Sequence, residues 1–378
     1  MNWIKDLLLL VFSFFICYIM LILGDWSLSK FIKLNTNNLS SFNEVIEIEK
    51  SRKIKDITLK EIAISEGYSP FLFPTYIDNN NILSRHLVRE GFSMLAGLPN
   101  KKTVLCNEGY GMIRYKSDRF GFRNEDVNWN KDIDDLFIGD SFVVGSCVNN
   151  KNTLSYVYGK HNNRNSLNLG VRGNNPLHYE VTANIFIPQF TPKNIYIVFY
   201  ANDYGKFSSH LNKIYIKQKK KYFSDDGLSL FNKEQVIKLG NNILSKQYEK
   251  QNNFKIIIYN KILPFIEYRM KLPVIFSLIS DYSLLGSSKD TIVNTKKLCE
   301  KFDCKLNIVY IPNSKYWRPS SVSDIYADQL KSFVEDNDLF FIDTRKILDR
   351  DKGSKDYGIE GLHLSPRGYE KVALFISD

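Results

Sequence analysis

The stretch Asp135-Leu136-Phe137-Ile138-Gly139-Asp140-Ser141-Phe142-Val143-Val144-Gly145 decides how the rest of this chain is interpreted. Its apolar run ends at Gly139, and the hydroxyl of Ser141 follows shortly after. A buried strand that ends in a small residue and then a hydroxyl delivers a candidate nucleophile to the edge of a sheet. The stretch is not a Gly-x-Ser-x-Gly elbow, because Val143 stands where the second glycine would be. A Gly-Asp-Ser sequence is also typical of an ordinary turn, so the rest of the chain must decide between the two.

Further apolar runs without alternation follow this stretch, and they are typical of strands that are covered on both faces. The five strand candidates are residues 136–138, 166–169, 194–200, 305–311 and 339–343. Helical patterns lie between them, around residues 151–160, 175–187, 287–302 and 321–335. This alternation predicts a three-layer α/β domain with a parallel, doubly wound sheet. Ligands of such sheets bind beyond the carboxyl ends of the strands, where Ser141, residues 170–174 and residues 201–203 are expected.

Composition limits the class of protein. A chain of 378 residues with 44% hydrophobic and 14% aromatic residues can form one large domain with an appendage, or two modest domains. The net charge of +10 comes mostly from scattered residues, and the one dense basic run is Lys217-Gln218-Lys219-Lys220-Lys221. No nucleic-acid-binding module accompanies this run, so nucleic acid is not an expected partner. The charge fits a solvated basic face, or an anionic surface or polymer.

An uncharged apolar run from Leu7 to Leu23 is about long enough to cross a bilayer as a helix. Trp3 and Trp26 flank it at interfacial positions, and no small-x-small cleavage signal follows. The run therefore predicts an uncleaved N-terminal anchor. Basic residues lie on both sides of it, so charge does not fix the orientation.

The organisation expected from these patterns has four parts. Residues 1–26 form the anchor, residues 27–100 form a polar stalk or lead-in, and residues 101–130 form an accessory segment packed on the main domain. Residues 131–378 form that domain. An insertion at about 204–285 is expected to be helical, with a lid over the site as a second interpretation.

The cysteines show no metal-binding spacing, so no metal or cofactor is expected. A disulfide between Cys106 and Cys147 would indicate an oxidising compartment outside the membrane. Two independent buried thiols fit the sequence equally well.

The end of the chain offers a candidate base. His363 has Glu360 three residues before it, and it precedes Ser365 and Pro366, which are typical of the start of a helix. A base for a serine nucleophile needs its second ring nitrogen held by an acceptor, usually a carboxylate. None of the other four histidines combines a nearby carboxylate with a strand end or a helix entry.

Four motifs in order resemble the four blocks of the SGNH (GDSL-type) hydrolase superfamily. They are Gly139-Asp140-Ser141, Asn168-Leu169-Gly170-Val171-Arg172-Gly173, Ala201-Asn202-Asp203 and Glu360-Gly361-Leu362-His363. The resemblance extends from Asp132 to the C-terminus and implies a three-layer, flavodoxin-like sheet. Residues 115–124 and the pair Cys106 and Cys147 also resemble membrane-anchored members that act on bacterial surface polysaccharides.

The resemblance implies a role for each motif. Ser141 would be the nucleophile and His363 the general base, while the Ser141 amide, Gly173 and Asn202 would form the oxyanion hole. Such converging donors suit acyl transfer, because the intermediate carries its negative charge on oxygen. A glycine at 173 also lets the backbone approach a ligand closely.

The acid departs from the superfamily pattern, which has an aspartate three residues before the histidine. This chain has Glu360 there, so Glu360 is the expected acid, with Asp356 or a backbone carbonyl as alternatives. Asp140 is expected to hold the turn rather than to take part in the chemistry.

The function implied is a serine esterase or O-acyltransferase that acts on ester-linked acyl groups, with acetyl expected, of an extracytoplasmic carbohydrate. The protein would be attached to the membrane by a single pass, with its globular domain in the periplasm. One alternative is a non-catalytic glycan-binding or assembly module of a polysaccharide export system. Another is a cytoplasmic lipase-like enzyme. Sugar, acyl group, acceptor and oligomeric state are not encoded in these motifs.

Overall fold

The computed structural model describes residues 6, 9–10, 12–20, 23–24, 39–72, 95–205, 284–318 and 322–377. The lysine run, most of the predicted insertion and part of the predicted stalk lie outside these residues. The predicted anchor is described only in part, and its residues 12–20 are helical. Within the described part of the chain, no helix is both long enough and apolar enough to cross a membrane.

The described residues of the predicted stalk and of the accessory segment form one helix and a small three-stranded sheet. Helix α1 spans Leu39–Ser65, a helix that the sequence patterns did not predict. Strands β1 (Ser69–Pro70), β2 (Lys102–Val104) and β3 (Arg114–Lys116) follow it. β1 pairs with β2 in parallel and β2 pairs with β3 antiparallel.

The main domain is built on a five-stranded sheet whose strands are all parallel. Its strands are β4 (Asp135–Gly139), β5 (Ser166–Gly170), β6 (Asn194–Tyr200), β7 (Lys305–Ile311) and β8 (Phe340–Asp343). They are arranged in the order β5-β4-β6-β7-β8, which is the flavodoxin-like order. β5 lies on one side of β4, and β6, β7 and β8 lie on the other side. The predicted parallel α/β sheet is therefore confirmed.

Within the described ranges, five helices accompany the sheet, at Leu154–Asn162 (α2), Pro176–Phe190 (α3), Gly286–Phe302 (α4), Val322–Glu335 (α5) and Pro366–Ser377 (α6). α2 packs with α6, and α3 packs with α4, as expected of the two outer layers of a doubly wound sheet. Ser365 caps α6 as predicted, because its hydroxyl accepts the N–H of Gly368 at 3.0 Å.

One buried carboxylate aligns the amino ends of three neighbouring strands. Asp135, at the start of β4, accepts hydrogen bonds from Arg164 just before β5, from Ser166 at the start of β5 and from Asn194 at the start of β6. β4 pairs residue by residue with β5 and β6 from Asp135 to Gly139. Because the starts are aligned, β4 and β5 end side by side, and β6 continues two residues further to Tyr200. The residues that follow all three strands therefore lie at the same edge of the sheet.

The accessory segment fastens the turn that follows β4. Arg123 is buried, and its guanidinium donates hydrogen bonds to the carbonyls of Val144, Gly145 and Val148 at 3.2, 2.7 and 2.7 Å. Its Nε donates to the side chain of Asn150 at 2.7 Å. Burial lowers the pKa of Arg123 to about 10, so the group is charged at neutral pH. One side chain therefore supplies the donors for a turn that has no regular secondary structure of its own.

Replacing Arg123 by Met should destabilise the fold strongly, because three buried carbonyls would each lose a charged donor. We expect Arg123→Met to lower the free energy of unfolding by roughly 3 kcal/mol, measured by urea denaturation followed by circular dichroism. The control is Arg119→Met, which removes a surface ion pair with Asp126 and should cost less than about 1 kcal/mol. Equal losses in the two variants would contradict the role given to Arg123.

Candidate active site

Ser141 lies on a tight turn at the carboxyl end of β4. The side chain of Asp140 accepts the N–H of Phe142 at 2.8 Å and so holds the start of the turn, as expected from the sequence. The turn lies directly on two glycines, since a Cβ at Gly139 would be 2.5 Å from Val143 and one at Gly170 would meet the backbone of Val144. Both positions therefore need glycine for the turn to pack against the sheet.

His363 lies beside Ser141, as the resemblance implied. The Ser141 hydroxyl and His363 Nε2 are 2.9 Å apart, although 222 residues separate the two in sequence. His363 is buried, and its ring packs at 5.0 Å from the ring of Phe142. The geometry is that of a nucleophile in hydrogen-bond contact with its base.

The carboxylate that holds the histidine is Glu108, not Glu360. Oε1 of Glu108 accepts a hydrogen bond from His363 Nδ1 at 2.7 Å, and Oε2 accepts the His363 backbone N–H at 3.0 Å. A carboxylate only accepts, so the proton of the neutral ring lies on Nδ1. Nε2 is then an acceptor for the Ser141 hydroxyl. The arrangement Ser141, His363 and Glu108 is a complete Ser-His-acid chain.

Neither acid suggested by the sequence contacts the imidazole. The side chain of Glu360 points to the surface, where Lys55 donates to it at 3.2 Å. Its backbone N–H donates to the carbonyl of Glu108 at 3.1 Å, so Glu360 helps to fix the loop of the acid rather than supplying it. Asp356 is buried against Lys371, which donates to it at 2.7 Å.

Glu108 is a buried carboxylate, with 1% of its surface exposed. Burial opposes its ionisation, but the adjacent His363 and the cation of Arg52 outweigh that effect and hold the pKa of Glu108 below its usual range. Arg52 Nη1 lies 3.0 Å from Oε1. The acid is therefore ionised throughout the neutral range, as a group that stabilises an imidazolium must be.

Two features bring Glu108 to the histidine. A Cβ on Gly361 would lie 1.9 Å from the Glu108 carboxyl carbon, so glycine at that position leaves the space that the acid occupies. Cys106, two residues before Glu108, forms a disulfide with Cys147 on the turn after Ser141. This is the pairing that the sequence left open against free thiols. The bond ties the segment of the acid to the turn of the nucleophile.

A metal at this place would compete with the contacts just described. Among the described residues, Glu108, Cys147 and His363 bring potential metal-ligand atoms within 4.8 Å of one another. The sulfur of Cys147, however, is bonded to Cys106, and Glu108 and His363 bind each other. The donor set is therefore already satisfied, and we assign no metal to it.

The expected oxyanion donors share a pocket with Ser141 and His363. The pocket has a volume of about 320 Å³, and Gly173 and Asn202 lie on its wall. Gly173 has a φ of +81°, a conformation that favours glycine. It follows β5 while Asn202 follows β6, so they approach the end of β4 from its two neighbouring strands. The structure thus brings all the expected oxyanion residues to one place.

Two carboxylates, Asp140 and Asp203, also line this pocket. Asp140 and Asp203 are both buried, and Asp203 accepts hydrogen bonds from Tyr179 and from the N–H of Tyr200 at 3.0 and 2.9 Å. Burial raises the pKa of Asp140 to about 6. Burial and the charge of Asp140 raise the pKa of Asp203 well above its usual range. The pair therefore holds a proton near neutral pH, which limits the negative charge beside the nucleophile.

The sequence patterns did not predict Glu108 as the acid, because they relate His363 only to carboxylates a few positions away in the sequence. The two residues are 255 positions apart, and no short-range spacing relates them. Two signals were present in the sequence. Cys106 places its neighbours close to Cys147 if the disulfide forms, and Gly361 leaves an unfilled space beside His363. Neither signal identifies Glu108 without coordinates.

Comparisons with known proteins give likeness of fold alone. No family model matches the sequence, and no curated protein matches it. Among solved structures, a provisionally named lipolytic protein of the G-D-S-L family from Desulfitobacterium hafniense is 12% identical, with a TM-score of 0.37 over 65% of this chain and 97% of that one. A provisionally named acylhydrolase from Bacteroides fragilis is 12% identical, with a TM-score of 0.35 over 64% and 84%. A GDSL-like lipase from Bacteroides thetaiotaomicron is 9% identical, with a TM-score of 0.34 over 66% and 87%. The functional conclusion therefore rests on the side-chain geometry.

The buried Asp140 should make stability depend on pH with a definite sign. Its pKa is raised in the folded protein, so ionised Asp140 destabilises the fold, and this penalty develops between about pH 4 and pH 6. Asp140→Asn should therefore be stabilised relative to the parent chain by on the order of 3 kcal/mol more at pH 8 than at pH 4, measured by urea unfolding.

The control for this prediction is a carboxylate with the opposite shift. Burial disfavours the ionised form of Asp134, but hydrogen bonds from Lys193 and Asn165 outweigh it and lower the pKa of Asp134. Its contribution is thus present at neutral pH and lost in acid. That loss falls below about pH 4, so Asp134→Asn should be more destabilised at pH 8 than at pH 3. The same trend with pH in both variants would contradict the assignment for Asp140.

Proposed function

We propose that this protein is a serine ester hydrolase or O-acyltransferase. The observation that carries the proposal is the continuous hydrogen-bonded chain from Ser141 through His363 to the buried Glu108, which opens into a pocket with candidate oxyanion donors. Each part meets a requirement of acyl transfer: a nucleophile, a base with a fixed tautomer, an ionised acid and converging donors. The motifs that resemble the SGNH superfamily support the same chemistry.

The proposed reaction has two acyl-transfer steps. Ser141 Oγ attacks the ester carbonyl while His363 Nε2 takes the hydroxyl proton, and the Glu108 carboxylate stabilises the imidazolium that results. The Ser141 amide, Gly173 and Asn202 would donate to the developing oxyanion. The tetrahedral intermediate collapses, and His363 returns the proton to the leaving alcohol. Water or a sugar hydroxyl then attacks the acyl-enzyme while His363 Nε2 takes its proton, the bond between the acyl carbon and Ser141 Oγ breaks, and the proton returns to Oγ. The choice of acceptor separates hydrolase from transferase.

We propose a carbohydrate ester outside the cytoplasm as the substrate, with acetyl as the acyl group. Two arginines and three asparagines line the pocket, which suits sugar hydroxyls better than the acyl chain of a lipid. The disulfides Cys106–Cys147 and Cys299–Cys304 support an oxidising compartment. The apolar run from Leu7 to Leu23 supports attachment to a membrane by a single anchor.

The nucleophile can be tested with an active-site-directed reagent. An alkyl fluorophosphonate should label the full-length protein on Ser141, found by mass spectrometry, because His363 makes that hydroxyl reactive. Ser141→Ala should lose both the label and the hydrolysis of 4-nitrophenyl acetate. If the folded parent protein neither labels nor cleaves, the proposal fails and the non-catalytic glycan-binding or assembly module is favoured.

The acid can be tested by comparing two glutamates. Glu108→Gln should lower kcat roughly a thousandfold, because the amide cannot stabilise the imidazolium and disturbs the tautomer. Glu360→Gln removes only a surface ion pair with Lys55 and should leave kcat within about twofold. Acetyl ester turnover and thermal unfolding are measured on both variants. A larger loss in Glu360→Gln than in Glu108→Gln would return the acid to Glu360.

A further inference from the structure

One face of helix α1 contacts the loop that carries the acid. Arg52 binds the side chain of Glu108, and Lys55 binds Glu360. Asp56 accepts the backbone N–H of Asn107 at 3.2 Å. Arg52, Lys55 and Asp56 are three and four positions apart, so they lie on the same face of the helix. The helix therefore contacts the acid loop and the histidine loop together.

Arg52 and His363 share a single oxygen of the acid. Oε1 of Glu108 accepts from His363 Nδ1 at 2.7 Å and from Arg52 Nη1 at 3.0 Å. The side chain of Glu108 is 2% exposed and that of Arg52 is 20% exposed. A buried carboxylate needs a compensating charge, and a neutral imidazole does not supply one. In the resting state that charge comes from Arg52.

Other charged and titratable groups interact electrostatically with the carboxylate or contact its loop. They are Arg172 from the loop after β5, Tyr110 from the acid loop, Tyr369 from α6 and Asp56 from α1. Arg172 Nη1 donates to the carbonyl of Leu105 at 3.1 Å. The structure places the guanidinium of Arg52 in direct contact with the oxygen that faces His363.

We propose that Arg52 is a positioning residue of the triad, which keeps Glu108 ionised and its Oε1 directed at His363 Nδ1. This inference rests on the function proposed above. It makes helix α1 part of the active site, although the helix lies outside the sheet domain that carries Ser141 and His363. The docking of α1 then completes the catalytic machinery.

Removing Arg52 should change the pH dependence of the reaction rate, which the loss of its packing contacts alone would not do. Without the cation, burial would disfavour the ionised form of Glu108, so its ionisation would need a higher pH. This moves the acidic limb of the pH–rate profile to higher pH. A general loss of stability would lower activity without moving that limb.

The test compares kcat and kcat/KM for 4-nitrophenyl acetate from pH 5 to 9 in the full-length protein. Arg52→Gln should lower kcat at pH 7 by roughly tenfold or more and move the acidic limb up by about one pH unit. Arg52→Lys keeps the charge and should restore the limb to its parent position. Lys55→Gln is the matched control on the same helix face. It should stay within about twofold with an unmoved limb.

A double variant keeps the test decisive if Arg52→Gln fails to fold. Arg52→Gln combined with Glu108→Gln removes both charges, so no unpaired charge is left buried. If Arg52 acts through Glu108, the double variant should match Glu108→Gln alone within about threefold in kcat. A further large loss, or an unmoved limb in folded Arg52→Gln, overturns the proposal.

A parallel measurement on Ser141→Ala distinguishes a failure of the role of Arg52 from a failure of the proposed function. If Ser141→Ala is inactive and the limb of Arg52→Gln does not move, only the role of Arg52 is wrong. If Ser141→Ala retains activity, the proposed function is wrong and the role of Arg52 falls with it.

Discussion

The site depends on keeping a carboxylate ionised inside the protein. Glu108 is almost fully buried, and an isolated charge there would take up a proton instead of remaining ionised. Three donors prevent this: the ring and the backbone N–H of His363, and the guanidinium of Arg52. The contacts that stabilise the charge are also the contacts that orient the histidine. One set of hydrogen bonds therefore stabilises the charge of Glu108 and fixes the orientation of the His363 ring.

That arrangement places demands on chain segments that are far apart in sequence. The acid must enter a space that Gly361 leaves open, and its loop is fastened by the bond between Cys106 and Cys147. Arg123 then supplies the donors for the turn that carries both Ser141 and Cys147. Each of these contacts joins the accessory segment to the sheet domain. The accessory segment thus supplies one residue of the site, Glu108, and holds the turn that carries Ser141.

Features that depend on residues close together in the sequence could be predicted, and contacts between distant residues that no motif marks could not. The parallel sheet, the place of Ser141 after β4 and the helix capped by Ser365 all depend on residues a few positions apart, and they were predicted correctly. His363 was found because its motif also lies at a recognisable point in the chain. Glu108 was missed because its only relation to His363 is spatial. Helix α1 was missed because its residues alternate between polar and apolar without a clear stripe.

The departure at Glu360 has a physical explanation in the structure. A carboxylate three residues before the histidine could hold the ring only from within its own loop, but Glu360 points outward to Lys55. The place beside the imidazole is filled by Glu108, whose carbonyl in turn accepts the N–H of Glu360. Glu108 therefore binds the imidazole ring, whereas Glu360 connects the histidine loop to helix α1 through Lys55. Helix α1 thus contacts both glutamates, through Arg52 at the buried one and through Lys55 at the partly exposed one.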